Sequence, residues 1–209
     1  MGHRDDLLAG AKRCLVERGY ARTTARDIVA ASGTNLASIG YHFGSKEALL
    51  NEALIEASGE WGGQLEKVLA EAGEGLRPGS VERFQVIWSG VVELFAQNRG
   101  LWAASFEVFA QIEHLPELRR QLADGLEQAR LGLAHIFHHP DDEAARSLGC
   151  FYQAMLTGVI AQYLIDPERA PTGPELALAL RTITADAFRA DADQTGTTTA
   201  VTTSPLSIR

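Results

Sequence analysis

The stretch Gly33-Thr34-Asn35-Leu36-Ala37-Ser38-Ile39-Gly40-Tyr41-His42-Phe43-Gly44-Ser45-Lys46-Glu47-Ala48-Leu49-Leu50 decides how this chain is read. It contains a glycine turn, a short helix with polar and small residues on one side, and a second helix start capped by Ser45. Immediately before it, Thr24-Ala25-Arg26-Asp27 has the spacing of a capping box, with Thr24 as N-cap and Asp27 at the third helical position. The helix it opens runs through Ile28 to Ala31 and closes at Gly33. Two short helices joined by a turn of a few residues form a helix-turn-helix, whose second helix is short enough to lie in a DNA major groove.

Upstream, Leu7, Leu8, Ala11, Cys14 and Leu15 recur at three- and four-residue steps, which predicts a first helix over about residues 4–18 closed by Gly19. In order along the chain stand Glu17-Arg18-Gly19-Tyr20, Thr23-Thr24, Asp27-Ile28-Val29, Ala31-Ser32-Gly33, Ile39, Tyr41-His42-Phe43 and Ser45-Lys46-Glu47. With these features the segment from about Leu7 to Leu50 resembles the N-terminal domain of the tetracycline-repressor (TetR) family of bacterial regulators. The resemblance implies an all-α chain: a three-helix DNA-binding domain over residues 1–50, then a larger helical bundle over 51–190 for effector binding and dimerisation. It implies about nine helices in all, the last two forming the homodimer interface. Its expected partners are double-stranded operator DNA and a small apolar effector, with no cofactor and no membrane.

Carried over at matching positions, Leu36, Ala37, Ser38 and Gly40 would approach base edges, while Tyr41, His42 and Lys46 would hold phosphates. Thr24 and Arg26 would add contacts from the preceding helix. Ser38 can exchange hydrogen bonds with a base and Ala37 can touch a thymine methyl, while Lys46 with the helix start at Ser45 forms an anion site. Asn35 is read either as a DNA contact or as the cap of its helix. His42 is read as a phosphate ligand or a core hydrogen-bonding group, and Tyr41 as a phosphate contact or a packing residue. Gly40 stands where many members carry an aromatic residue or Asn, and Leu36 where they carry a polar one. Bidentate base readout is therefore scarce, and specificity leans on methyl contacts and DNA shape.

The net charge of −8 is unusual for a nucleic-acid binder, but it is unevenly divided. Residues 1–46 hold seven Lys/Arg against four acids, giving +3, and the other 163 residues hold 12 against 23, giving −11. A basic reader on an acidic body would orient the protein on a duplex. Apolar content of 45% argues against wholesale disorder. The two cysteines, Cys14 and Cys150, both read as small core residues, which suits a cytoplasmic location, as does the polar start of the chain. Ser147 to Ile165 lacks charge over a membrane-spanning length, but its polar residues and glycines favour a bundle core.

In the body, Gly59, Gly62 and Gly63 interrupt a helical pattern that starts at Ser45, so a hinge or a loop is expected there. Helices follow over about 81–97, 100–113 and 116–138. Asp141 is read as the cap of a charge-free helix, and a last helix follows Pro174, with Leu176, Leu180, Ile183 and Ala187 on one stripe. Beyond Asp191 a disordered tail is expected over 191–209. Trp88, Trp102, Phe106, Phe109, Gln111, Tyr152 and Met155 are candidates for the effector site, and Glu107, Gln153 and Thr157 are polar groups beside it. An aromatic stripe at this spacing equally fits plain core. His135, His138 and His139 beside Asp141 and Asp142 raise a metal site, but histidines near a helix C-terminus also complement its dipole. A helical adaptor that binds protein and not DNA is the alternative function. No phosphate-cradling loop or nucleophile elbow is present to support an enzyme.

Overall fold

The computed structural model describes residues 2–72, 74–77, 79–137 and 143–197, with side chains described up to 134 and then over 144–189. The described residues form nine α-helices and one 3₁₀ turn, with no strand: α1 (His3–Arg18), α2 (Ala25–Ser32), α3 (Leu36–Phe43), α4 (Lys46–Ala72), α5 (Val81–Gln97), α6 (Arg99–Phe109), the turn Ile112–His114, α7 (Pro116–Phe137), α8 (Glu143–Ile165) and α9 (Gly173–Thr197).

The reader domain forms because α1 buries Leu7, Leu8, Ala11, Cys14 and Leu15 against Ile28 of α2, Ile39 of α3 and Leu49, Leu50 and Ala53 of α4. Gly10 lets α1 and α2 cross closely. A Cβ there would lie 2.8 Å from Ser32 Cβ and 3.1 Å from the Ile28 carbonyl. Ion pairs Arg4–Glu52 and Lys12 to Glu56 (2.7 Å) and Glu60 (2.6 Å) line the outside of the α1–α4 contact. Apart from the half-buried Lys12 these groups are exposed, and the pairs align the helices more than they stabilise them.

Helix α4 joins the two domains without a break. It contributes Leu49 and Leu50 to the reader core and Trp61, Leu65 and Leu69 to the body core. Of the hinge or loop expected at Gly59, Gly62 and Gly63, the loop is not present, since the helix is continuous there. Packing against α5 and α7 along one side outweighs a propensity cost of about 1 kcal/mol per glycine. In the body, α5 carries Phe84, Ile87, Trp88, Val91 and Phe95 inward, α7 pairs with α8, and α9 lies along α5.

Three expectations change. Helix α6 ends at Phe109, before the expected Glu113, and the chain tightens into Ile112–His114, because Pro116 disfavours helical geometry at Leu115. Helix α9 runs to Thr197, past Asp191, where Ala190 and Ala192 favour helix; residues 198–209 lie outside the described residues. Cys14 is buried as expected, but Cys150 is exposed. The uncharged stretch of α8 from Ser147 is covered on the side that meets α7, and Cys150 and Phe151 are exposed. Residues Ala144–Ile165 are long and apolar enough to cross a bilayer by length and composition alone, as are many core helices. The Asp141 cap and the histidine cluster with Asp141 and Asp142 lie outside the described side chains.

Candidate functional site

Local hydrogen bonds shape the outward face of the reader. The Thr24 hydroxyl accepts the Asp27 N–H at 3.2 Å, while Asp27 Oδ2 accepts the Thr24 N–H at 2.9 Å and the Thr24 hydroxyl at 2.6 Å, so the capping box is complete. The bonds from the Thr24 side chain and backbone, with Arg18 at 3.1 Å, hold the Asp27 carboxyl below its usual range. Gly33 closes α2 in the left-handed region at φ 69°, a conformation that disfavours a side chain, and its N–H donates to the Val29 carbonyl at 3.0 Å. Two residues later Asn35 caps α3, its Oδ1 accepting the Ser38 N–H at 3.0 Å and the Ser38 hydroxyl at 3.2 Å.

The inner side of α3 is fixed by Ile39, which is buried, and Phe43, half-buried with the Arg4 guanidinium 5.0 Å above its ring. The outer side presents Leu36, 51% exposed, Ala37, Gly40 and Tyr41, 86% exposed. An aromatic residue that exposed contributes little to folding, and it stands on a rigid eight-residue helix. His42 is half-buried, edge-on to Tyr41 at 4.8 Å and next to Phe43 at 6.4 Å. Lys46 already has partners. Its Nζ donates to the Thr23 carbonyl at 3.1 Å and sits 3.4 Å from Glu47, tying the start of α4 to the loop before α2. Arg26 is exposed in the first turn of α2 and makes no ion pair among the described residues. A cation at that end opposes the helix dipole, which argues against a stabilising role. Thr24, Asn35 and Ser38 are thus engaged in caps, while Arg26, Leu36, Ala37, Gly40 and Tyr41 are open to a ligand. Arg22, which the sequence reading passed over, is also exposed, its Nε donating to the Arg18 carbonyl at 2.8 Å.

In the body, α4, α6, α7 and α8 enclose a cavity of about 480 Å³ that opens to solvent, within the roughly 300–1,000 Å³ usual for small-molecule sites. Of the expected effector residues, Trp102, Phe106 and Phe109 line it, as do Gln153 and Thr157. Trp88 and Tyr152 lie elsewhere, packed around Phe84 at 5.9 and 6.5 Å, and burial pushes the Tyr152 hydroxyl up to about 12. Met155 packs against the core, and Gln111 Nε2 donates to the Glu107 carbonyl at 3.3 Å; neither lines the cavity. Trp61 does line it, edge-on to Trp102 at 4.6 Å, and was not foreseen.

Helix α6 connects the cavity to the reader. Gly100 sits so close to Val16 of α1 that a Cβ would overlap the Val16 carbonyl. The carboxylate of Glu107, expected near the ligand, instead accepts the Ala21 N–H at 2.9 Å and fills the space beside Gly19, whose φ is 83°. The helix that supplies Trp102, Phe106 and Phe109 to the cavity therefore also grips the loop between α1 and α2.

Residues 7–53 match the family described as bacterial regulatory proteins, tetR family, and residues 79–190 match the tetracyclin repressor-like C-terminal domain. Among curated relatives, the HTH-type transcriptional repressor AcnR of Corynebacterium efficiens is 44% identical over 46 residues, 22% of this chain and 24% of that protein. The HTH-type transcriptional repressor KstR2 of Rhodococcus jostii is 43% identical over 53 residues, 25% of this chain and 26% of that protein. The chain thus spans about a quarter of the length of these relatives. A TetR-family regulator from Mesorhizobium loti shares the fold with a TM-score of 0.66 at 16% identity, over 84% of this chain and 89% of that one. The multidrug binding protein EbrR, solved with imidazole, does so with a TM-score of 0.63 at 21% identity, over 87% and 94%. With both its domains matched, the chain belongs to the TetR family of DNA-binding bacterial regulatory proteins.

Proposed function

We propose that this protein is a transcriptional repressor that binds a palindromic operator as a homodimer through α3 and is released when a small molecule enters the body cavity. The observation that carries the reading is the outer face of α3: Tyr41, Leu36 and Gly40 are exposed on a helix whose inner side and both ends are fixed. Arg26, Arg22 and the N-terminus of α4 supply cationic character around it. Cytoplasmic location follows from that partner.

Dimerisation is supported by α9, which has apolar groups on more than one side. Leu176 and Leu180 pack on the core, while Leu178, Ile183 and Phe188 are 62, 66 and 75% exposed. Large apolar side chains grouped on one helix favour a covering surface, and two-fold pairing suits half-sites about 34 Å apart. Release is supported by α6, which would carry displacement of Trp102 or Phe106 to Gly100 and Glu107 and so to the α1–α2 loop.

Footprinting on the DNA upstream of the protein's own coding region tests the reading. Two protected half-sites about one helical turn apart are expected, and Tyr41→Ala should abolish protection with the melting temperature unchanged. Absence of any duplex affinity at low salt would favour the protein-binding adaptor instead. Phe188→Glu with Ile183→Glu should yield a monomer in sedimentation velocity.

A further inference from the structure

The open face of α3 is apolar where base edges would be read. Leu36, Ala37, Gly40 and Tyr41 are exposed, and the pairs Leu36–Gly40 and Ala37–Tyr41, each four residues apart, form two adjacent rows on the helix. None of the side chains that grip a base edge with two parallel hydrogen bonds, Arg, Lys, Asn or Gln, occurs between Leu36 and Phe43. The hydroxyls nearest the face are engaged within the protein. Ser38 donates its hydroxyl proton to Asn35 Oδ1, which also accepts the Ser38 N–H, and the Thr34 hydroxyl pairs with that of Ser32 at 2.7 Å. The exposed cations Arg22 and Arg26 lie before and on α2, so charge that would hold phosphates flanks the apolar face and does not sit on it.

Gly40 adds a steric argument. A mid-helix glycine weakens a helix relative to alanine, and nothing in the fold calls for this one. Its backbone is helical, and a Cβ there would meet no atom within 4 Å. The missing side chain therefore serves whatever approaches from outside. With Gly40 bare, the backbone of α3 can sit close to the floor of a groove, and only at that depth does the single methyl of Ala37 reach a base. There the thymine methyl is the one apolar group that any base pair offers in the major groove. An A·T pair can place it against Leu36 and Ala37. A G·C pair would have its N7, O6 and N4 groups desolvated by those side chains with no hydrogen bond in return.

We infer that α3 recognises thymine methyl groups, and that each half-site of the operator carries adjacent T·A pairs beneath Leu36 and Ala37. This rests on the operator reading of α3 and adds which groups of the duplex are read.

Selection by the full chain from a pool of random-sequence duplexes, followed by anisotropy titration of the enriched duplex synthesised with thymidine or with deoxyuridine, tests it. Deoxyuridine keeps the hydrogen-bonding edge of the pair and lacks only the methyl. The enriched half-sites should share adjacent thymines, and one deoxyuridine in each half-site should weaken binding about fifteenfold, about fourfold for each buried methyl lost. Leu36→Ala should shrink the thymidine preference at the position it covers. Gly40→Ala should raise the melting temperature and yet weaken operator binding about fivefold or more, because the added methyl holds α3 off the bases. The inference is overturned if the two duplexes bind alike, if the half-sites share no thymine, if the preference is undiminished in Leu36→Ala, or if Gly40→Ala binds as tightly as the native chain. An enriched duplex that binds equally well with deoxyuridine removes methyl recognition and leaves the repressor reading standing. Failure to enrich any duplex at low salt removes both, and the exposed Leu36 and Tyr41 then belong to a protein-binding face.

Discussion

Replacing Arg26 with Ala tests the electrostatic part of the proposed DNA contact. Its side chain is exposed and has no ion pair among the described residues, and it occupies the first turn of α2, where a cation opposes the dipole. The substitution should therefore leave stability within about 0.5 kcal/mol of the native protein or raise it slightly. On DNA each protomer would lose one phosphate contact, hence two per dimer. Each contact contributes about 0.9 to the slope of log affinity against log salt, so the slope should flatten by about 1.8. Between about 50 and 200 mM salt that difference amounts to roughly a tenfold change in the ratio of variant to native affinity, the variant being most impaired at low salt. Fluorescence anisotropy of a labelled operator duplex across that range measures it directly. Parallel native and variant lines would refute the placement of Arg26 on a phosphate, whatever the absolute affinities.

Thr24→Ala removes the capping box and should cost about 1 kcal/mol, read as a lower melting temperature of the native chain. Because Asp27 titrates below its usual range, the stability it contributes is fully present above its unfolded pKa of about 4 and disappears as the pH falls through its lower folded value. Acid melts of the native protein should thus show a loss in that window that is smaller in Thr24→Ala, where the backbone N–H and Arg18 still hold the carboxylate. Gly100→Ala drives a methyl into the Val16 carbonyl and should destabilise by about 1–3 kcal/mol in urea unfolding, since backbone sits on the other side of the contact. Glu107→Ala frees an N–H that water can reach, so it should cost no more than about 1 kcal/mol. Its larger effect should be on release: operator affinity with saturating ligand should rise toward the ligand-free value if Glu107 transmits the movement of α6.

The recognition helix was legible because its signals are local. A capping box, a left-handed glycine and an Asn cap each act within four residues, so Thr24, Gly33 and Asn35 mark their helix ends before any tertiary contact is known. Where tertiary packing overrides local preference, sequence reasoning misplaced the boundary. Helix α4 continues through three glycines because neighbouring helices cover it, and α9 outruns a composition that lacks an apolar stripe. Cys150 shows a different limit. A helix apolar on every side does not reveal which side its neighbours cover.

Pairing between distant segments is what hid the cavity. Trp88 and Trp102 are equivalent by residue type and both belong to helices of the same bundle, yet one is 1% exposed in solid core and the other lines open space, because Trp88 on α5 packs beside Phe84, with α9 lying along its helix, while Trp102 on α6 lines the space bounded by α4, α7 and α8. The informative signal was absence of bulk. Ser58, Gly59 and Gly62 flank Trp61 on α4, and Gly125 and Gly132 are seven residues apart on α7, so each helix offers a stretch without side chains at helical repeat. Read as a flaw in α4, those glycines suggest a hinge; read together with their counterparts on α7, they are one void shared by two helices. A hinge would require α4 to bend between the reader and the body. A continuous α4 is compatible with either role, and α6, touching both the cavity and the α1–α2 loop, is a second connection between body and reader.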